Sequence, residues 1–243
     1  VAVIEGRELV TLRERTSTGA GTCVGRPVPP NEVRIIRITD EAIPEWSDAL
    51  LVKPGQVGEI TVAGPSATDT YFRREAKTRL AKIAEAQPAA AGGEGARRIV
   101  HRMGDLGYVD AEGRLWFCGR KSQRVVTAAR TLCTEQVEPV FDTHPEVRRT
   151  ALVGIGERGA QRPLLCVELN AGIAKAERAR IADELRHLGE GFVHTAHVDS
   201  FAFHPAFPVD IRHNAKIGRE KLAVWAAREL RAGRAFEPAT APD

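Results

Sequence analysis

Long apolar runs are absent from the 243-residue sequence, and none approaches the roughly 20 residues that a bilayer-spanning helix needs. The opening VAVIEGRELVTLRER lacks the pattern of a signal peptide, so a cytoplasmic location is expected. Cysteine is scarce: Cys23, Cys118, Cys133 and Cys166 are dispersed without a CxxC pair. This argues against a disulfide framework or zinc site and fits reduced thiols. Charge of one sign is not in excess either. Lys and Arg number 35 against 32 Asp and Glu, and the resulting +3 is too small to make nucleic acid an expected partner. The 43% hydrophobic and 28% charged residues exclude a disordered or collagen-like chain. At about 150 residues per domain, the length predicts one to two domains. A chain this long builds an ordinary core without disulfides or structural metal.

Short apolar runs cut by Gly and Pro fill residues 1–119: EVRIIRI, VGEITVAG, RIVHRMGDLGYVD and GRLWFCG. This punctuation predicts an all-β region with tight turns, the β-rich subdomain of the chain. The chain starts with Val in an apparent strand, from which an upstream segment of the same folding unit is expected. A helix is predicted for RREAKTRLAKIAEA, from Arg73 to Ala86, followed by a mobile loop in QPAAAGGEGARR. Over residues 120–243 the pattern changes. TEQVEPVFDTH reads as a helix ending before Pro145, and VRRTALVGI and PLLCVELN read as strands. In KAERARIADELRHLG, the residues Ile181, Leu185 and Leu188 share a helical face, with Gly189 expected as the C-terminal cap. HVDSFAFH reads as a strand, and GREKLAVWAAREL as a helix with Leu222, Trp225 and Ala226 on one face. The fold class is α+β.

Three patterns mimic sites. Gly154-Ile-Gly-Glu-Arg-Gly159 spells a dinucleotide fingerprint, but it leads into a strand, whereas the fingerprint must open a helix whose N-terminus holds pyrophosphate. A hairpin turn is the expected reading. Thr16-Ser-Thr-Gly-Ala-Gly-Thr22 has no Lys and precedes VGRPVPP, so it reads as a plain loop. His194 and His197 are HxxH-spaced, with His187, His204 and His213 nearby, but no acidic or Cys ligands accompany them at ligand spacing, and no metal ligand is assigned.

The stretch GDLGYVDAEGRLWFCGRKSQRV (Gly104–Val125), then TEQVEPV, and finally HNAKIGREKL resembles the C-terminal half of the AMP-forming adenylating superfamily. CVGRPVPPNEVRII and VGEITVAGPSATDTYFRREAKT match the same family in order. The resemblance implies a distorted barrel-like β-subdomain over 1–119, lacking its N-terminal part, and a small mobile α/β lid over 120–243. It implies ATP with Mg2+, and places Asp105 on the ribose hydroxyls, where an ionised acceptor suits two hydroxyl donors. Arg120 falls at a second nucleotide contact, Lys121, Ser122 and Gln123 form the hinge, and Lys216 is the mobile lysine of adenylation. Such a cation lowers the repulsion between the attacking carboxylate and the α-phosphate in the transition state.

Two departures stand out. Met103 replaces the usual Thr before the GD pair, and Thr127-Ala-Ala-Arg-Thr131 replaces the glycine-rich turn that enters the pantetheine tunnel in thioester-forming members. Ala128 and Ala129 therefore argue against a second half-reaction with CoA. The loop and the GRKSQRV stretch resemble those of the β-lactone-forming members of bacterial long-chain olefin biosynthesis. These activate a 2-alkyl-3-hydroxyalkanoic acid and close the ring with its own hydroxyl. A fatty acyl-CoA or acyl-AMP ligase is the alternative, and a non-catalytic module the reading from another class. The family's phosphate loop and magnesium-holding acid are not found in the sequence and are expected upstream of Val1, in a missing N-terminal portion that is an expected partner. The long-chain β-hydroxy acid is the expected small-molecule partner, with other hydrocarbon-biosynthesis enzymes as further candidates.

Overall fold

The alternating runs between Thr22 and Arg120 assemble into one antiparallel sheet. A computed structural model describes residues 1–87, 97–210 and 216–236. The chain divides into two compact units, Val1–Leu12 with Gly21–Ser122, and Arg13–Ala20 with the chain from Gln123 onward. The first contains strands β1 (Ala2–Val3), β2 (Thr22–Pro27), β3 (Glu32–Ile36), β4 (Gly58–Ala63), β5 (Lys82–Ala86), β6 (Arg97–Val109) and β7 (Leu115–Arg120). Their order is β1-β2-β7-β6-β4-β3, with β5 pairing β6 beside that path. Irregularities at Cys23/Gly25, Glu59/Thr61 and Leu106/Gly107 bend the strands, as bulges do, and curl the sheet. Neighbouring residues face opposite ways. Ile36, Ile83 and Val100 enter one apolar cluster, while Ile35, Ile60 and Leu115 enter another.

Two sequence expectations fail in this unit. The start of the chain is not β throughout: after β1 comes helix α1 (Gly6–Ser17), whose last turn belongs with the second unit. GRELVTLRERTS is rich in Leu, Arg and Glu, which favour helix, and it buries Leu12. The predicted helix from Arg73 to Ala86 is also shorter, because α2 spans Glu75–Ala81 and the rest is β5. Ile83 is fully buried in register with Val100, and that burial outweighs the helical propensity of KIAEA. The loop expected after it falls mainly on residues 88–96, outside the described residues.

In the second unit, the two-residue strands β8 (Val125–Val126) and β9 (Thr131–Leu132) precede α3 (Thr134–Phe141). A sheet follows, made of β10 (Val147–Ile155), β11 (Arg162–Leu169) and β12 (Phe201–Phe203), with α4 (Arg178–Glu190) crossing between the parallel pair β11 and β12. Helix α5 (Arg219–Arg231) closes the unit. Period-two alternation gives this sheet two cores. Leu152, Leu165, Val167 and Phe201 pack with Phe141, Ile181 and Leu185 of α3 and α4, while Ala151, Val153, Leu164 and Cys166 pack with Leu222 and Ala226 of α5. The GIGERG segment is the β10–β11 hairpin connection, with left-handed Gly156 and Gly159. Gly189 is not a cap. Helix α4 runs past it to Glu190 and is capped by Gly191, while Gly189 is buried against Phe141.

Candidate functional site

Pairing of β6 with β7 sets Asp105 opposite Arg120, and Arg120 Nη1 donates to Asp105 Oδ1 at 2.7 Å. Gly104, at φ 71°, supplies the left-handed turn that delivers Asp105, a conformation that disfavours side chains. Among the described residues Asp105 Oδ2 accepts no hydrogen bond, so one carboxylate oxygen is available to a ligand. Burial raises the Asp105 pKa above its ordinary value, Arg120 opposes this, and the nearby Glu59 charge adds to it. Arg120 itself is largely exposed.

Behind this pair lies a buried network that sequence reasoning missed. The Glu59 and Arg102 side chains are each 1% exposed, and Arg102 Nη2 donates to Glu59 Oε2 at 2.6 Å. The remaining Arg102 donors reach the carbonyls of Thr39, Glu41 and Leu80. Lys121 adds a second cation, with Nζ 3.0 Å from Glu59 Oε1, and also donates to Thr39 O at 3.1 Å. The sequence signal was present but weak: a lone Glu in VGEITV and the second Arg in RIVHRMG, each at an interior strand position. Lys121 thereby gains a structural anchor besides its expected place in the hinge. Lys121–Gln123 form a single 3-10 turn, in which Ser122 is exposed and Gln123 begins the second unit.

A cleft of about 510 Å³ opens beside Gly104, bounded in part by Tyr71, Arg74, Lys77, Met103 and Lys121. Met103 lines it with a thioether, which donates no hydrogen bond. Lys216 lies in the second unit, exposed, and its ammonium has no partner among the described residues. Its carbonyl accepts from Asp210 N at 3.0 Å, and Gly218 N donates to Pro208 O at 2.7 Å. His213, Asn214 and Ala215 of the HNAKIG motif lie outside the described residues.

The Thr127–Thr131 loop is a closed hairpin turn between β8 and β9. Thr127 Oγ1 accepts from the amides of Ala129 and Arg130, at 3.2 and 3.0 Å, and Ala128 and Ala129 are exposed. Thr16 and Ser17 end α1, Thr18–Gly21 turn, and Thr22 opens β2, so this segment presents no helix N-terminus to a phosphate. The described histidines of the HxxH region are scattered in role: His194 is packed on Gly19, His204 lies edge-on to Trp225 at 4.6 Å, and His187 is exposed. Among the described residues the one metal-capable grouping is His144, Glu146 and Glu184. The Arg180 guanidinium already occupies it, at 2.6 Å from Glu146 and 2.8 Å from Glu184. Among the described residues no helix is long and apolar enough to cross a membrane.

No family model matches the chain. It is 61% identical over 229 residues, 94% of its length, to an olefin beta-lactone synthetase of Xanthomonas campestris pv. campestris. It is 58% identical over 230 residues, 95% of its length, to an olefin beta-lactone synthetase of Stenotrophomonas maltophilia. The chain spans 40% of the length of each of these relatives. Among solved structures, O-succinylbenzoate coenzyme A synthetase of Bacillus subtilis, in complex with AMP, superposes with a TM-score of 0.57 at 22% identity, covering 82% of this chain and 35% of that one. The fold is that of the C-terminal portion of AMP-forming adenylating enzymes.

Proposed function

We propose that this chain is the nucleotide-gripping and lysine-bearing portion of an olefin β-lactone synthetase, an ATP-dependent ligase that activates a 2-alkyl-3-hydroxyalkanoic acid. The observation that carries this reading is the 61% identity to such an enzyme over 94% of the chain. The residues fit a nucleotide. Asp105 retains one unengaged carboxylate oxygen for the ribose hydroxyls, and exposed Arg120 orients that carboxylate while offering further donors. Lys216 stabilises the step in which a substrate carboxylate oxygen attacks the α-phosphorus and pyrophosphate leaves. The substrate's β-hydroxyl oxygen then attacks the acyl carbon, its proton passes to a base, and AMP departs as the four-membered ring closes. Tethering replaces a bimolecular encounter by an intramolecular one. Mg2+ enters with ATP, and no residue of this chain is assigned to it. The residues of Lys121, Ser122 and Gln123 form the hinge, and since Lys121 is anchored on Glu59, rotation falls on Ser122 and Gln123. The cytoplasm is the proposed location, with the remainder of the enzyme and other hydrocarbon-biosynthesis enzymes as partners.

The hairpin closed by Thr127, with alanines at its tip, favours intramolecular capture over thioester formation. Product analysis tests this. The whole enzyme, given ATP, Mg2+ and a long-chain 2-alkyl-3-hydroxy acid, is expected to release AMP, pyrophosphate and a β-lactone, with rate and product unchanged by CoA. A fatty acid without the hydroxyl is expected to stop at the adenylate. Acyl-CoA formed in preference to lactone would reject the reading in favour of a fatty acyl-CoA ligase, and a stalled adenylate with the hydroxy acid would favour an acyl-AMP ligase.

A further inference from the structure

Lys216 stands on a short segment held at both ends. On one side, the Asp210 amide bonds to the Lys216 carbonyl, Val209 bridges Ile217, and Gly218 N reaches Pro208 O at 2.7 Å. On the other side, α5 begins at Arg219, whose guanidinium runs into the interior rather than to solvent. Arg219 Nη2 donates to Glu138 Oε2 at 2.7 Å, and Nη1 donates to Oε1. Glu138 Oε1 also accepts the Leu152 amide at 2.8 Å. Glu138 therefore ties three elements together: α3, on which it stands, β10 and the first residue of α5. Its side chain is 9% exposed and that of Arg219 14%. A two-pronged bond between planar groups fixes orientation as well as distance, which a single contact does not.

We infer that Glu138 is a positioning residue for the adenylation step: through Arg219 it fixes the start of α5, and with it the Lys216–Gly218 segment, so that the Lys216 ammonium is presented in one place. The inference rests on the proposed role of Lys216. Its physical basis is the steep dependence of catalysis on placement, where a displacement of about 1 Å can cost on the order of 10²-fold in rate. A lysine has a long flexible stem, so a wandering backbone beneath it would spread its ammonium over a wide volume.

The groups facing Glu138 give the pair a distinctive pH response. Facing its carboxyl are Arg219 from α5, the Leu152 amide from β10, Cys166 from β11, and from α3 itself Asp142, whose own carboxylate accepts the Thr150 hydroxyl. Cys166 is held as a neutral thiol, because burial pushes it up to about 12. Burial likewise pushes Glu138 up to about 7, against the opposing pull of Arg219 and Leu152, and pushes Asp142 to about 6. A proton on Glu138 removes its negative charge and one of the fork's two acceptors, which is what Glu138→Gln does permanently.

The test is ATP–pyrophosphate exchange by the whole enzyme with the long-chain 2-alkyl-3-hydroxy acid. At pH 8, Glu138→Gln and Arg219→Lys are each expected to lower kcat about tenfold with KM for ATP unchanged within about twofold, because the nucleotide is held by Asp105 in the other unit. Between pH 8 and pH 6 the wild-type kcat is expected to fall toward the Glu138→Gln value while that variant stays flat, and Asp142→Asn is expected to keep the response. If Glu138 acts through Lys216, adding Glu138→Gln to Lys216→Ala changes residual exchange by less than about twofold. A wild-type kcat in both Glu138→Gln and Arg219→Lys overturns the inference, as does full additivity in the double variant. Unimpaired exchange by Lys216→Ala instead overturns the reading on which it rests. Should Glu138→Gln fail to fold, Arg219→Lys, which keeps the buried charge, still decides the question.

Discussion

Glu59 in the first unit and Glu138 in the second are both buried carboxylates that bind an arginine through two nitrogens or two oxygens, yet their surroundings differ. Glu59 has two cations, Arg102 and Lys121, and Arg102 spends its other donors on three carbonyls. Glu138 has one cation, Arg219, with the carboxyl of Asp142 close enough to oppose its charge. The same contrast extends to neighbouring groups. In the first unit, hydrogen bonding from Arg34, only partly offset by burial and reinforced by Arg98, holds Glu85 at about 2. Asp110 is also held at about 2, where burial is outweighed by Trp116 and Arg114. On α3 of the second unit burial wins, and Glu138 and Asp142 stand at about 7 and about 6. Arginine partners and hydrogen bonds keep Glu85 and Asp110 of the first unit ionised, whereas α3 of the second unit carries two carboxyls that change state near neutral pH.

The most severe way to break this contrast is to remove the platform's centre. Glu59→Ala leaves Arg102 and Lys121 facing a buried void, and loss of one partner of a buried pair costs about 3–5 kcal/mol. Denaturant unfolding of the whole enzyme, read through hydrogen exchange in β4 and β6, is expected to show that loss. A change under about 1 kcal/mol would mean the network is solvated. Next in size is Lys216→Ala, expected to lower adenylation by roughly 10²–10³-fold with ATP affinity nearly unchanged, as for a group engaged mainly in the transition state. Asp105→Ala is expected to weaken ATP binding by about 1.5–3 kcal/mol instead, since the ribose is held already in the ground state. Equal defects in both parameters for both variants would erase the division of labour between the units.

pH offers a finer test, because these two pairs of carboxyls respond with opposite sign. Glu138 and Asp142 have folded pKa values above their ordinary ones, so the folded state binds the extra protons. Their contribution is fully present below about pH 4 and is lost as pH rises through about 6 to 7. For Glu138 alone this amounts to on the order of 3 kcal/mol. Glu85 and Asp110 are depressed, so their contribution is present above about pH 4 and is lost as pH falls through about 2. Exchange protection in α3 and β10 is expected to weaken from pH 5 to pH 8, after correction for intrinsic rates, and Glu138→Gln is expected to flatten that slope. A parallel response in both units would defeat the comparison.

How much of this was legible in the sequence also differs between the units. Strands β10 and β11 and helices α4 and α5 follow from periodicity, since each buries one clean stripe or alternates between two cores. Asp105 and Arg120 stood out because their motifs are local, and sheet register brought them together. Glu59, Arg102 and Glu138 did not stand out. Their importance comes from partners 43 and 81 residues away, and no window of sequence contains such pairs. The errors have the same cause. KIAEA became a strand because a distant strand was there to bury Ile83, and Gly189 was misjudged because the ring of Phe141 fills the place of its side chain.

Gly189 supplies the smallest expected effect and the sharpest statement of how the second unit is held. A Cβ at this position would lie 3.0 Å from Phe141 Cζ and 3.1 Å from Cε1. Phe141 is fully buried and stands edge-on to Phe201 at 5.9 Å, so it has little room to withdraw. Two effects oppose each other in Gly189→Ala. Replacing a glycine inside a helix gains roughly 1 kcal/mol of propensity, while forcing an extra carbon into a packed core costs about 1–3 kcal/mol. With both aromatic rings confined, the packing cost is expected to win, leaving a net loss of about 1 kcal/mol. Gly191→Ala is the control: its φ is −66° and its nearest neighbour is Leu188 O at 3.3 Å, a backbone atom of its own helix end. That substitution is expected to be close to neutral. Exchange protection in α4 measures both, and added protection in Gly189→Ala would show that the apolar cores of this unit yield where the salt-linked first unit does not.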